Sequence, residues 1–354
     1  MVVMEAEKIE EIARAAAPKI TVVGIGGAGC NIVTWMKEKG VGGAQVIAIN
    51  TDAQHLAITK ADKKLLVGYK LTRGLGCGGF PERGAEALKE DIDAVKSILE
   101  GTNLVFVLVG LGGGTGTGGA PIICKLARDM GALALAVATL PFMIERARWE
   151  IAKKGLKSLV SSSDAVIVID NERLRKVAGG LPLHEAFNTA NELIATFVKS
   201  ISETIALPSL VNMDFADLRS IMQDRGICAI GVGEATGDNR VERAVEMALN
   251  YQLLDIKDIS KATGALIHVE GGQDLTLEEV NRAGELVLKR ISPHARVSWG
   301  ARIDRSKTDY IRVTVVLTGA ESPFLIEELG PKEEEKPVEV EEKKRGLFGK
   351  MFKS

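Results

Sequence analysis

Gly110-Leu111-Gly112-Gly113-Gly114-Thr115-Gly116-Thr117-Gly118-Gly119 is the stretch on which the reading of this chain turns. It follows Leu104 to Val109, an apolar run that reads as a buried strand, and precedes Ala120 to Met130, which reads as a helix. A strand, a glycine-rich turn and a helix together form a phosphate cradle. Glycines let the backbone approach an anion, and a helix N-terminus offers unpaired N–H donors and the positive end of its dipole. Thr115 and Thr117 add hydroxyl donors. No Gly-Lys-Ser/Thr follows, so this is not a Walker A loop.

Two further glycine-rich loops lie in the first third of the chain. Gly24-Ile25-Gly26-Gly27-Ala28-Gly29 fits the dinucleotide pattern G-x-G-x-x-G between a strand and a helix, and Asp52 follows the next strand at a suitable distance. Taken alone, it points to a nicotinamide-dependent oxidoreductase or to a plain tight turn. Arg73-Gly74-Leu75-Gly76-Cys77-Gly78-Gly79-Phe80-Pro81 reads on its own as a surface loop. In a parallel sheet, loops that leave strand C-termini converge on one edge. Three converging loops suit a triphosphate better than a single pyrophosphate.

The remaining pattern is α/β. Ile20 to Val23, Gln45 to Asn50, Ala132 to Leu140 and Ala165 to Ile169 read as further strands, with helices at Asn31 to Lys39 and Ala85 to Leu99. Glu185 to Ile205 has a long helical period that Pro208 ends. A second unit follows, with strands at Ala229 to Gly233, Ala265 to Gly271, Arg296 to Arg302 and Tyr310 to Leu317 and helices at Arg240 to Leu249 and Thr276 to Arg290. The expected divisions are an extension over 1–17, a nucleotide domain over 18–184, a central helix over 185–207, an α+β domain over 208–320, and a linker with a terminal peptide over 321–354.

With 354 residues and 46% apolar content the chain can bury a real core. A formal net charge of −2 gives no basic footprint for nucleic acid. The four cysteines lack metal-ligand spacing, which fits free thiols in a reducing cytoplasm and no protein-held metal. The longest uncharged apolar stretch, about 131–144, is too short to span a bilayer. Residues 1–17 lack the pattern of a signal peptide.

Asn212-Met213-Asp214-Phe215-Ala216-Asp217-Leu218 follows the long helix. Acids three apart at a helix start are ordinary caps. They are also a carboxylate pair able to orient a water or hold a cation for phosphoryl transfer.

Together these segments resemble the tubulin/FtsZ superfamily, and within it the FtsZ family, prokaryotic cell-division GTPases, in its archaeal form. The resemblance rests on Gly112 to Gly118, on Asn212 to Asp217, on Asn50-Thr51-Asp52-Ala53-Gln54, on Pro141-Phe142 and on Arg312-Val313-Thr314-Val315-Val316, and runs from about Pro18 to Gly319. It implies a Rossmann-like parallel-sheet GTPase domain, a long central helix and a smaller α+β C-terminal domain.

For function, it implies GTP/GDP at Gly26, Gly27, Ala28, Gly29, Cys30 and Asn31, with Asn31 near the base. Gly113, Gly114, Thr115, Gly116, Thr117 and Gly118 would surround the phosphates. Glu145 would contact the ribose, Phe187 and Asn191 would meet the guanine, and Asn171 would lie nearby. Mg²⁺ would ride on the nucleotide phosphates. The family usually places glycine directly after the glutamate matched by Glu145 and arginine four residues after it. Here Arg146-Ala147-Arg148-Trp149 follow, and the stretch to Asn171 is one residue short. Arg148 is the candidate for that arginine and Arg146 the second.

Asp214, Asp217 and Asn212 are then the expected catalytic residues. The long helix carries them away from the glycine loops, so they reach GTP only across a head-to-tail contact, which does not close and gives a filament. Two other readings remain open, an FtsZ-like scaffold with weak hydrolysis and, further off, the oxidoreductase. In the tail, Leu347, Phe348, Met351 and Phe352 beside Lys343, Lys344, Arg345, Lys350 and Lys353 read as a basic amphipathic patch for a division-machinery partner or membrane adaptor.

Overall fold

Five apolar runs and the short edge segment Lys63-Lys64-Leu65-Leu66 form a parallel sheet in the first half of the chain. They are β1 (Ile20–Ile25), β2 (Ala44–Asn50), β3 (Lys63–Leu66), β4 (Leu104–Gly110), β5 (Leu133–Leu140) and β6 (Ala165–Asp170), in the order β3-β2-β1-β4-β5-β6. The computed structural model describes residues 18–206, 214–223, 225–250 and 258–319. Asn212, Pro208, the extension over 1–17 and the tail patch lie outside them.

The helices of this half are α1 (Gly26–Lys39), α2 (Ala53–Ile58), α3 (Tyr69–Thr72), α4 (Pro81–Glu90), α5 (Ile92–Leu99), α6 (Thr115–Asp129), α7 (Arg146–Ser162) and α8 (Asn171–Ala178). The long helix is α9 (Leu183–Ala206). Then come α10 (Phe215–Met222), β7 (Gly226–Ala235), α11 (Arg240–Leu249), β8 (Gly264–Gly271), α12 (Leu277–Leu288), β9 (Arg296–Ile303) and β10 (Ile311–Thr318). β7 pairs in parallel with the start of β6, from Ala165↔Gly226 to Ile167↔Cys228. The sheet therefore continues through β7-β10-β8-β9, with β10 antiparallel to both neighbours.

The core divides by sheet face. One cluster joins Cys30, Ile32, Val33 and Met36 of α1 to Leu193, Ile194, Phe197, Val198 and Ile201 of α9, and runs on into Val313, Val315 and Leu317 of β10. The other joins Leu88, Val95, Ala120, Ile123, Leu156 and Leu159 from α4 to α7 on the opposite face. α9 is thus the shared wall between the two halves. Its Glu203 is buried and paired with Arg302 of β9, and its Ser200 hydroxyl lies 3.5 Å from that of Thr314.

Several elements differ from the sequence reading, which contained no β3, α2, α3 or α8. α6 begins at Thr115, inside the glycine run rather than after it. The single helix expected over Ala85 to Leu99 is two, broken at Asp91, whose carboxylate accepts the Gly68 N–H at 2.7 Å. α7, which carries a narrow buried stripe of Ala152, Gly155, Leu156 and Leu159 among lysines, was not expected.

Candidate active site

The strand order reverses between β1 and β4, one running outward to β2 and the other to β5. Crevices at such switch points, beyond the strand C-termini, are where open α/β sheets bind ligands. Register puts the strand ends at one level, with Ile25 beside Val109, Gly110 beside Thr139 and Leu140 beside Asp170. The next residues in chain order are Gly26, Leu111, Pro141 and Asn171, and all four line one cavity of ≈ 570 Å³.

Among the helices that begin on this cavity, α1 enters it through Gly26, Gly27 and Ala28 and α6 through Thr115 and Gly116. No side chain caps either one. Their first N–H groups and dipole ends are therefore available to an anion. Side chains of Asp52, Asp170, Asp214 and Thr276 cap α2, α8, α10 and α12, while α3, α4, α5, α7 and α11 also start without a side-chain cap, so what sets α1 and α6 apart is that glycines open them onto the cavity.

The glycines set how closely the loops approach. Gly26 has φ +71°, and a β-carbon on it would lie 2.9 Å from Gly116 N. A β-carbon at Gly114 would lie 2.6 Å from Cys77 Cβ and 2.9 Å from Phe80 O. The loop over 73–81 thus buttresses the glycine run over 110–119 from behind and is itself held by Ala53 N–H to Gly74 O at 3.0 Å. The three glycine loops do converge, but the third is a support and contributes no residue to the lining.

Of the expected nucleotide contacts, Gly26, Gly27, Ala28, Asn31, Gly113, Gly114, Thr115, Gly116, Glu145, Arg148, Asn171, Phe187 and Asn191 line the cavity. Gly29, Cys30, Thr117 and Gly118 stand behind it. A β-carbon on Gly29 would overlap the Leu108 carbonyl, and one on Gly118 the Pro81 carbonyl. Burial pushes the Cys30 thiol up to about 11, and it packs near Ile49 O and the Asn50 amide. The hydroxyls of Thr115 and Thr117, expected as ligand donors, also have hydrogen-bond partners within the protein. Thr117 accepts the Gly112 N–H at 2.9 Å, and Thr115 pairs with the Thr51 hydroxyl at 2.6 Å.

Arg148 lines the cavity, whereas Arg146 does not. The Arg148 guanidinium lies 2.7 Å from Glu145, whose other oxygen accepts the Phe142 N–H at 3.1 Å. Arg148 is the only basic side chain among the described lining residues. At the far end of the cavity Phe187, 39% exposed, meets Phe142 edge-on at 6.0 Å, with Asn191 one turn further along α9. Leu111, Thr139 and Leu140 also line it and were not singled out, although each lies at or just past a strand end.

Asp214 and Asp217 lie elsewhere. Asp214 caps α10, accepting the Ala216 N–H at 3.1 Å, and both carboxylates are exposed. α10 sits at the strand N-terminal edge, where Arg219 donates to Gly131 O at 2.8 Å just beyond the end of α6. α6 runs from the cavity to that contact, and fifteen residues at 1.5 Å each put them about 22 Å apart. Asp52, which the oxidoreductase reading needs at a ribose, caps α2 through His55 N–H at 3.0 Å and is absent from the lining.

Residues 19–179 match the GTPase domain of the tubulin/FtsZ family, and residues 226–321 match the C-terminal domain of the FtsZ family. Cell division protein FtsZ 1 of Methanocaldococcus jannaschii is 46% identical over 329 residues, 93% of this chain and 90% of that protein. The chain belongs to the FtsZ family. Cell division protein FtsZ 1 of Pyrococcus furiosus is 48% identical over 337 residues, covering 95% and 89%. Among solved structures, an empty FtsZ dimer from M. jannaschii superposes with TM-score 0.83 at 46% identity, covering 90% of this chain and 93% of that one. CetZ2 from Haloferax volcanii, a GTPγS-bound protofilament, gives 0.73 at 27% identity, covering 87% and 96%. FtsZ membership makes the chain a cell-division GTPase and displaces the oxidoreductase reading of Gly24 to Gly29. No helix among the described residues is long and apolar enough to cross a membrane.

Proposed function

We propose that the cavity binds GTP with its phosphates at Gly26 to Ala28 and Gly113 to Gly116 and its base between Phe187, Asn191 and Asn31. Hydrolysis then occurs between subunits. The observation that carries this reading is the pair of uncapped helix starts at one edge with the acids of α10 at the other. Oriented backbone N–H groups stabilise charge on a transferring phosphoryl group without a lysine. Asp214 and Asp217 at the neighbouring subunit's α10, with Asn212, orient the attacking water. Such a heterologous contact repeats head to tail as a filament.

Glu145 is the only carboxylate among the described lining residues, and Arg148 and the Phe142 N–H already hold it. Mg²⁺ therefore has no protein cage here and would be held by phosphate oxygens, where it supplies charge neutralisation. In this reading residues 18–184 hold the phosphates and ribose, residues 185–207 join the halves and add Phe187 and Asn191 at the base, and residues 208–320 carry the acids. The protein works in the cytoplasm at the division site, and its terminal patch docks a division partner or membrane adaptor. Unchanged localisation after removal of residues 346–354 would refute that last role.

Sedimentation with GTP against GDP, alongside turnover over a concentration series, tests the main reading. GTP should pellet the protein, and turnover per subunit should rise with concentration and then level off. Turnover independent of concentration in a monomer overturns the shared site.

A further inference from the structure

Asn31 borders the cavity through a chain of hydrogen bonds that fixes which end of its amide faces in. The chain starts at the backbone. Asn50 Oδ1 accepts the Thr51 N–H at 2.9 Å and the Asp52 N–H at 3.3 Å, so its Nδ2 must face the other way. That Nδ2 lies 3.3 Å from His55 Nδ1 and 3.7 Å from the Cys30 sulfur. An amide N–H₂ only donates, so His55 Nδ1 accepts and its proton sits on Nε2. His55 Nε2 is 2.9 Å from Asn31 Oδ1, which takes that proton's hydrogen bond. The Asn31 amide N–H₂ is left for the cavity.

Asn31 lines the side of the cavity that α9 borders, where the proposed site has the nucleoside. One turn further along α1, the Trp35 indole N–H donates to Glu192 at 2.9 Å, and Glu192 adjoins the cavity residue Asn191 on α9.

We propose that His55 is a positioning residue that locks Asn31 with its N–H₂ toward the cavity, so the nucleoside is read through one of its own acceptor atoms. This rests on the cavity being the GTP site. A free asparagine would offer either amide end. The relay removes that choice before ligand arrives, and pre-ordering of this kind adds affinity by lowering the ordering cost.

The test is a double-mutant cycle on the full-length, nucleotide-stripped protein, titrated with GTP and with GDP below the assembly concentration. His55→Leu should weaken both by roughly three- to tenfold, the worth of one oriented hydrogen bond. In an Asn31→Ala background it should change nothing. His55→Gln, whose carbonyl can accept from Asn50 while its amide donates to Asn31, should recover most of the lost affinity. His55→Asn is too short to span both partners and should not, so this pair carries the test even if His55→Leu does not fold. Additive losses from His55→Leu and Asn31→Ala, or equal affinity of the Gln and Asn variants, overturn the relay. Wild-type protein that binds neither nucleotide overturns the GTP reading, and the relay with it.

Discussion

The two edges of this sheet use different chemistry. The C-terminal edge is built from backbone: glycines whose neighbours stand where a β-carbon would go, and two helices that begin uncapped on one cavity. The N-terminal edge offers exposed carboxylates that, within one chain, only cap and flank α10. The first edge declares its purpose in its own packing. The second has an ordinary local explanation, and gains another only when a second subunit is set against it. A binding cavity can thus be recognised from one chain, while a residue that acts only across a subunit contact, as proposed for Asp214 and Asp217, would look like surface.

Substitutions can separate the edges. Asp217→Ala should cut GTP turnover by roughly 10²- to 10⁴-fold, the usual worth of a positioned acid or base, while GTP affinity in a binding titration stays near wild type. Lost binding would mean the acids act on the same chain's cavity.

Gly26→Ala attacks the other edge. The left-handed backbone and the overlap with Gly116 N should lower GTP affinity on the order of a hundredfold. Wild-type affinity in that variant would show that the loops need not touch.

The second half of the sheet has its own sensitivity. His268 of β8 is buried, and burial holds its imidazole down at about 4, with Glu270 opposing and Arg302 and Arg312 assisting. Its unfolded value is 6.5, so the unfolded chain binds the proton first. The stability it allows is complete above pH 6.5 and is lost as pH falls toward 4. Urea unfolding should show wild type losing roughly 2 kcal/mol between pH 7 and pH 5 that His268→Phe keeps.

The smallest effect separates the two roles of Asp214. Asp214→Ala should cost about 1 kcal/mol of stability as a lost cap, whereas Asp214→Asn keeps the cap. If both abolish turnover equally, the charge is what catalysis uses.

Much of this was legible in the sequence because it is local. Buried parallel strands announce themselves as apolar runs, and glycine clusters mark close backbone approach. Other features depend on contacts made elsewhere. α6 starts within the glycine run because Gly118 packs against Pro81 of α4, which no local propensity reports. The break at Asp91 depends on Gly68, twenty-three residues earlier. The hydroxyls of Thr115 and Thr117 also have partners inside the protein, Thr51 and the Gly112 N–H, which the glycine run alone does not announce. His55 carried no motif at all, since its role comes from neighbours at positions 31 and 50.

The most direct test mixes two damaged proteins. Gly26→Ala keeps the acids but holds GTP poorly, and Asp217→Ala holds GTP but lacks an acid. Each alone should be nearly inactive at a GTP concentration that saturates only the second. An equimolar mixture should recover GTP turnover, because the acids of one serve the nucleotide of the other. A mixture no more active than the two measured separately would contradict the shared site.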